Sequence, residues 1–260
     1  NPVVKKGDKV LTGQLIGQST GYVSANIHAS ISGTVTSVDA YPNGQGQRRL
    51  MVVIKREGDE WMPEIDRTPD HKRECTLSSQ EIIGKIRNAG IVGLGGAQFP
   101  THVKLSVPDG QKAEVVIING VECEPYLTSD YRNMMERTEM ILTGTEIVMR
   151  AVGVSRAVIG VENSKTDAIA KLREIIARDK YEGIEVMPLK MRYPQGGEKQ
   201  LIAAVTGRQV PPPPALPISV GAVVCNVSTA IAIYEAVQKN KPLIERVVTV
   251  TGKHLNSTHN

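Results

Sequence analysis

The spacing of apolar residues divides the chain into parts of different character. Up to about residue 62, short apolar runs such as Val3-Val4, Val10-Leu11 and Leu15-Ile16 alternate with glycine-containing turns. Short runs separated by tight turns are typical of the strands of a small sandwich or barrel. Residues 1–62 are therefore predicted to form a small all-β domain.

After this region, short β-branched runs alternate with amphipathic helical patterns. The runs at residues 115–118 and 157–161 predict strands that are buried on both faces, and further strands are predicted at residues 184–187 and 222–224. Helices are predicted at residues 79–90, about 129–152, 165–179, 197–205 and 228–239. A capping box from Ser78 to Glu81 starts the first of them. The alternation predicts an α/β fold with a mostly parallel sheet over residues 63–244.

The last segment, residues 245–260, begins a new β pattern with Val247-Val248-Thr249-Val250. We interpret this pattern as the first strand of a further β-domain whose remainder lies outside the sequence. The chain also begins at Asn1 without Met, and its first segment is already in mid-pattern. The sequence is therefore interpreted as a fragment of a longer protein.

Composition narrows the choice of function. Aromatic residues make up only 3% of the chain, so the core must consist of Val, Ile, Leu and Ala, which suits a parallel sheet. The net charge is +4 without a dense basic block, which argues against nucleic-acid binding. The three scattered cysteines have no metal-ligand spacing, and this suits a reducing compartment. No apolar run approaches the ~20 residues of a transmembrane helix.

The first candidate site is the segment 93–104. Gly93, Gly95 and Gly96 would let the backbone approach an anion closely, and Lys104 would add positive charge. Phe99, the only phenylalanine, could stack on an aromatic ring. The same pattern is also compatible with a glycine-rich turn that packs against the sheet without binding anything.

Three further segments follow predicted strands. Residues 119–126 contain Asn119, a hydrogen-bonding side chain, and two glutamates, Glu122 and Glu124, which we expect on the same side of an extended segment. These glutamates could equally be solvated turn carboxylates. Residues 193–200 and 225–229 each join a strand to a helix, and Ser228 or Thr229 could cap the second helix. All of these junctions are expected at the carboxyl edge of the sheet, where α/β folds bind ligands.

These motifs resemble a known family. Segment 93–104 resembles the flavin loop of the NADH-binding subunit of respiratory complex I, and residues 119–125 resemble its Asn- and Glu-containing segment. The resemblance to the C subunits of Rnf complexes, the ion-translocating NAD:ferredoxin oxidoreductases, is closer and covers nearly all of residues 3–252. It includes the opening 4–10, the segment Asn119–Tyr126 and the segment 193–201.

The resemblance implies a Rossmann-like FMN-binding domain and a flavin-dependent oxidoreductase subunit that exchanges hydride between NAD(H) and noncovalently bound FMN. Phe99 and Glu124 would contact NAD(H). The matching positions imply these FMN contacts: Gly93, Gly95, Gly96, Lys104, Asn119, Glu122, Gly197, Glu198, Asn226 and Thr229. No residue is needed as a general acid or base, because the hydride chemistry belongs to the cofactor.

The resemblance also implies a wider assembly. The N-terminal domain resembles a biotinyl- or lipoyl-type barrel-sandwich hybrid, but residues 21–29 contain no lysine to be modified, so a docking role is expected. The family carries 4Fe-4S clusters on a C-terminal domain beyond an SLBB-like β-domain. Partners would be the other Rnf subunits and, indirectly, ferredoxin. The expected location is the cytoplasmic side of the bacterial inner membrane, as a peripheral subunit.

The sequence departs from the family pattern at four positions in these motifs. Gln98 replaces a glycine, Val121 an aspartate, Cys225 an asparagine and Ser228 a glutamate. Two alternatives therefore stay open. One is a flavin-free docking module of the same complex, and the other is a binding protein that uses its β-domains for partner or glycan contacts.

Overall fold

The computed structural model describes residues 1–255, and the N-terminal part is an all-β unit. Its strands pair antiparallel in a three-stranded sheet, β1-β4-β5, and a two-stranded sheet, β2-β3. A small core of Val10, Ile16, Ala29 and Val35 lies between them. The strands have these bounds: β1 Lys9–Val10, β2 Leu15–Gly17, β3 Ile27–His28, β4 Gly33–Pro42 and β5 Arg48–Arg56.

A linker leads from this unit to the first helix, and α7 holds it in place. The ammonium group of Lys239, near the end of α7 (Val227–Gln238), contacts the Asp66 carboxylate at 3.1 Å and donates to the carbonyl oxygens of Thr68 at 3.2 Å and Asp70 at 2.6 Å. This lysine is only 6% exposed, so its charge is compensated almost entirely by the linker.

The second part of the chain is α/β, as predicted. Its four strands form a parallel sheet in the order β8-β7-β6-β9. Every residue of β7 is buried, which explains the unbroken β-branched pattern in the sequence. The strands are β6 Val115–Gly120, β7 Ala157–Glu162, β8 Ile184–Leu189 and β9 Ala222–Asn226. The helices are α1 Ser79–Asn88, α2 Thr101–Leu105, α3 Ser129–Glu136, α4 Thr138–Val152, α5 Thr166–Asp179, α6 Glu198–Thr206 and α7.

The order of the strands creates a switch point. From β6 the chain proceeds to β7 and β8 on one side, and then crosses back to place β9 on the other side of β6. In sheets of this kind, the loops beyond the two strands at the switch point border a crevice, which is the usual ligand position.

One predicted helix is in fact two. Residues 129–152 form α3 and α4, separated at Arg137, whose φ of −127° and ψ of 33° are not helical. Neither glycine nor proline marks this break in the sequence. Two different anchors explain it, because the start of α3 is held by Glu122 while α4 packs along α7. The capping box at Ser78 is confirmed, with reciprocal hydrogen bonds to Glu81.

The final segment contacts the α/β domain but forms no named strand among the described residues 245–255. The predicted first strand of a C-terminal β-domain therefore stays a prediction, and residues 256–260 lie outside the described residues. Within residues 1–255, no helix combines the length and the apolarity that crossing a bilayer requires.

Candidate functional site

The predicted segments meet at the carboxyl edge of the sheet. Asn119 at the end of β6 is paired in register with Asn226 at the end of β9, so the two loops beyond them start side by side. Asn226 caps α7 by accepting a hydrogen bond from the Ser228 amide at 2.8 Å. The predicted caps, Ser228 and Thr229, are wrong because α7 begins at Val227, one position earlier than the pattern indicated.

The glycine-rich loop is held against the start of α7. The Leu94 amide donates to Thr229 Oγ1 at 2.9 Å, and the Leu94 carbonyl accepts from Arg246 Nη2 at 3.2 Å. A side chain at Gly95 would lie 3.1 Å from Asn226 Cβ, so this glycine allows the close approach of the loop. Arg246 was not predicted, because it is 152 positions from Leu94 and follows no strand.

Several amides of this loop are available to a ligand. The amides of residues 95–98 donate no hydrogen bond to any atom of the described residues. Consecutive free amides form an anion-binding concavity. Gln98 stands where the family has glycine, and its φ of 53° is the left-handed conformation that glycine adopts without strain.

Lys104 joins three of the segments. Its ammonium group lies 2.8 Å from Glu198 Oε1 at the start of α6 and donates to the Val224 carbonyl of β9 at 2.9 Å. Both side chains of this ion pair are about one-third exposed, at 32% and 42%. The ion pair is therefore accessible to a ligand. The neighbouring Lys199 does not take part in it, because its ammonium group donates to the Pro211 carbonyl.

Asn119 connects the second and third segments. Its amide group donates to the Gly196 carbonyl at 2.9 Å, and its oxygen accepts from the Val121 amide at 3.0 Å. A side chain at Gly196 would lie 3.2 Å from the Val121 carbonyl oxygen, so the two loops are in close contact. Asn119 thus positions both loops, with its side chain fully engaged in that task.

The side chains of Glu122 and Glu124 do not lie on the same side of the chain, so the prediction that they would is wrong. The chain turns back after Val121 to begin α3, so Glu122 is 7% exposed and accepts hydrogen bonds from the amides of Asp130 and Tyr131 at 2.7 and 3.1 Å. Burial raises the pKa of Glu122 to about 7. Glu124 is exposed, and its hydrogen bond with the Tyr193 phenol raises the pKa of Tyr193.

A half-buried carboxylate, that of Asp130, lies at the start of α7. Asp130 accepts from Asn226 Nδ2 at 2.6 Å and from Ser228 Oγ at 2.7 Å, and burial raises its pKa. The Ser228 hydroxyl in turn accepts from Asn133 Nδ2 at 2.9 Å. Asp130 was not singled out in the sequence, because an acidic residue in the first turn of a helix is common.

Two of the exposed aromatic residues, Phe99 and Tyr193, lie on the candidate segments. Phe99 is 38% exposed, and Tyr193 is 72% exposed. Large aromatic side chains that remain accessible on candidate loops offer stacking surfaces for a planar ring. Phe99 belongs to the glycine loop, whereas Tyr193 is tied to the second segment through Glu124.

These features fit a flavin mononucleotide. The free amides of residues 95–98 and the ammonium group of Lys104 suit a phosphate or an electron-rich ring edge, and Asn119, Gly196 and Thr229 fix the surrounding loops. Glu122 is directed into the protein, so its oxygens are occupied by α3. No group of three or more His, Cys, Asp or Glu suited to a metal ion occurs within residues 1–255.

Comparison with known families agrees with this geometry. A model described as the Nuo51 FMN-binding domain matches residues 86–235, which is more than half of the chain. A second model, described as the RnfC barrel sandwich hybrid domain, matches residues 1–59.

Curated relatives share this arrangement. The chain is 47% identical over 253 residues to the C subunit of the proton-translocating ferredoxin:NAD(+) oxidoreductase complex of Clostridium ljungdahlii, covering 97% of this chain and 54% of that protein. It is 47% identical over 254 residues to the C subunit of the Na(+)-translocating ferredoxin:NAD(+) oxidoreductase complex of Acetobacterium woodii, covering 96% of this chain and 56% of that protein. The chain thus spans about half the length of these relatives.

A solved structure shares the fold of the α/β part. The crystal structure of NAD+-reducing [NiFe]-hydrogenase in the air-oxidized state matches 62% of this chain and 30% of the hydrogenase chain, with a TM-score of 0.52 and 25% identity. Taken with the two domain matches and the two curated relatives, this identifies the chain as a member of the RnfC family, in which a barrel-sandwich hybrid domain precedes an FMN-binding domain of the Nuo51 type.

Proposed function

We infer that the chain binds one FMN noncovalently in the crevice between the loops of β6 and β9, and exchanges hydride between NAD(H) and this flavin. Family membership supports the FMN part of the proposal. The relatives are named as subunits of ferredoxin:NAD(+) oxidoreductase complexes, which supports the NAD part. When bound, FMN supplies the exchange of a hydride for single electrons.

The residues of the chain would bind and orient the reactants. Lys104 provides the positive charge of the crevice, and the amides of residues 95–98 provide donors in a fixed arrangement. Phe99 and Glu124 are proposed for the NAD(H) side, since both are accessible and flank the crevice loops. Glu198 holds Lys104 in place across the crevice at 2.8 Å.

The wider assembly is part of the same proposal. We expect the unit 1–62 to act as an unmodified docking domain, the unit 63–244 to bind flavin, and the segment 245–260 to lead into an SLBB-like domain. Electrons would leave for 4Fe-4S clusters held elsewhere, and ferredoxin would react through them. The partners are the other subunits of an Rnf-type complex at the cytoplasmic side of the bacterial membrane.

One observation carries the proposal: Lys104 bridges Glu198 and β9 directly beside a loop with four unbonded amides. Replacing Lys104 with glutamine removes a charged donor. We expect FMN to bind roughly 10- to 100-fold more weakly, the equivalent of about 1.5–3 kcal/mol. The measurement is a fluorescence titration of the flavin-free chain with FMN. Lys112→Gln, which changes an exposed lysine outside the crevice, should leave the affinity unchanged.

A second readout tests the oxidoreductase part. The FMN-loaded chain should be bleached near 450 nm by NADH without added subunits, because hydride exchange needs only the two cofactors in contact. A chain that takes up no FMN would contradict the proposal and favour a flavin-free docking module. Binding of FMN without any reduction by NADH would contradict only the NAD(H) assignment.

A further inference from the structure

A second cavity lies next to the glycine loop. Its volume is about 220 Å³, and its walls come from the junction of α3 and α4, one side of α7, Leu94 and the segment 245–247. At ~30 Å³ per water molecule, this is room for roughly seven waters or one small organic molecule. It borders the proposed flavin crevice but is built largely from residues that have no part in it.

Some of the charged side chains around this cavity have a partner of opposite charge, and others do not. Two glutamates line it, and both interact with Lys241, at 3.0 Å for Glu235 and in a short contact for Glu245. Arg137 also lines it, is half-buried, and forms no side-chain hydrogen bond or ion pair with any of residues 1–255. A guanidinium group has five donors, so a partly buried one without an acceptor is an available anion-binding group.

The remaining walls define what could accompany an anion. Ile231, Ala232 and Val247 provide apolar surface. Asn133 uses its amide nitrogen for Ser228, which leaves its oxygen as an acceptor at the cavity. The site therefore combines two arginines that form no ion pair within residues 1–255, Arg137 and Arg246, with hydrocarbon surface and one neutral acceptor.

We propose that this cavity binds a small monocarboxylate with a short aliphatic chain, held through the guanidinium group of Arg137. The planar fork of arginine matches a carboxylate, and the walls of α7 accommodate three to five carbons. A phosphate dianion fits less well, because it gains nothing from contact with the apolar side chains of Ile231, Ala232 and Val247.

The cavity is connected to the flavin crevice through one residue. Arg246 lines the cavity and donates to the Leu94 carbonyl at 3.2 Å, while the Leu94 amide is held by Thr229. A carboxylate that draws Arg246 toward itself would weaken the first of these two bonds. A carboxylate bound in the cavity would then change the affinity of the glycine loop for FMN. This regulatory effect rests on the proposed FMN binding and goes beyond it.

Calorimetric titration of the 260-residue chain with acetate, butyrate and hexanoate tests the site. Butyrate and hexanoate should bind more tightly than acetate, because each added methylene is buried against α7. Arg137→Gln should weaken butyrate binding by about tenfold or more. The matched control is Arg132→Gln, one turn earlier, which changes an exposed arginine already paired with Glu136.

Several outcomes would overturn the proposal. They are an absence of butyrate binding to the wild-type chain, equal binding by the Arg137→Gln and Arg132→Gln variants, or tighter binding of inorganic phosphate than of butyrate. The titration is repeated with Lys104→Gln, which should still bind butyrate. Failure of the wild-type chain to bind FMN, with intact butyrate binding, would refute the flavin site alone.

Discussion

Glu122 has its carboxyl group in a position that water hardly reaches. Its side chain is 1% exposed, and it accepts two backbone hydrogen bonds from the first turn of α3. These bonds and Lys165, at 4.0 Å, favour the ionised form, but burial outweighs them and raises the pKa to about 7 from the ordinary 4.5. Protonation of Glu122 is therefore linked to folding.

The direction of this linkage can be tested. Because the pKa is higher in the folded state, the full stability is present below pH 4.5 and is lost as the pH rises toward and through 7. Glu122→Gln removes the titration, so its free energy of unfolding relative to wild type should rise by about 3 kcal/mol between pH 4.5 and 8. Urea unfolding at several pH values measures the difference.

The control for this experiment is an exposed glutamate on α5. Glu174→Gln changes a side chain on the solvent side of that helix, so its difference from wild type should be independent of pH. A flat difference for Glu122→Gln as well would mean that Glu122 is ionised in both states, contrary to the structure.

At this scale, the sequence predicts residues whose role follows from the local motif. From such a motif, Lys104 and the glycines of the loop are predicted to hold an anion, and this role stays a prediction. The directions of Glu122 and Glu124 could not be predicted, since the turn between Val121 and α3 decides them. Arg246 and Asp130 act across long sequence separations that a single chain pattern does not encode.

Among the elements, the contact of α4 with α7 is unusually close. A side chain at Gly144 of α4 would lie 2.1 Å from the Ala230 carbonyl oxygen of α7, so only glycine allows this separation. Since Asn226 caps α7 and Thr229 lies in its first turn, the position of α4 also sets the position of these two residues.

Gly144→Ala should therefore destabilise the chain, although alanine has the higher helix propensity. Pushing the two helices apart is expected to cost about 1–3 kcal/mol. Gly84→Ala in α1, where no atom lies within 4 Å of the new methyl group, should instead stabilise by up to about 1 kcal/mol. Thermal unfolding of both variants measures these changes in stability. Equal changes of the same sign would contradict the close packing of α4 on α7.

The elements themselves were largely predictable. Strands β6, β7 and β9 are largely buried runs rich in β-branched residues, and such runs have few alternatives in an α/β chain, whereas β8 alternates between buried and exposed positions. The break at Arg137 was not predictable, because it results from two tertiary anchors and from no residue with a helix-breaking preference. The position of β9 beside β6 is also a property of the whole sheet.

At the scale of the molecule, the two units are joined by the loop between β2 and β3. The His102 ring, through Nε2, contacts the Tyr22 carbonyl oxygen at 3.1 Å, and Asn26 Nδ2 donates to the Asn88 carbonyl at 3.2 Å. Gly90 lies in the same contact, because a side chain there would be 2.2 Å from the Asn26 carbonyl oxygen.

Gly90→Ala should loosen this contact. The variant carries the strain of a positive φ, here 67°, and in addition a collision with the β-unit. Gly153→Ala has the same kind of strain, with a φ of 71°, but open space around the methyl group. We expect Gly90→Ala to be the less stable variant by about 1–3 kcal/mol. It should also be cleaved faster in the linker 63–78 under limited proteolysis, and equal cleavage would argue against the contact.

The attachment of the loop between β2 and β3 also distinguishes the β-unit from the lipoyl and biotinyl carrier domains that it resembles. In lipoyl and biotinyl carrier domains, the corresponding turn carries the modified lysine and must move between separate active sites. Here that turn is tethered to the main-chain oxygen of Asn88 and to the ring of His102, two residues before the lysine of the crevice. A displacement of the β-unit would be transmitted through His102 to Lys104. Under the proposed function, a partner that binds the β-unit would therefore change the affinity of the chain for flavin.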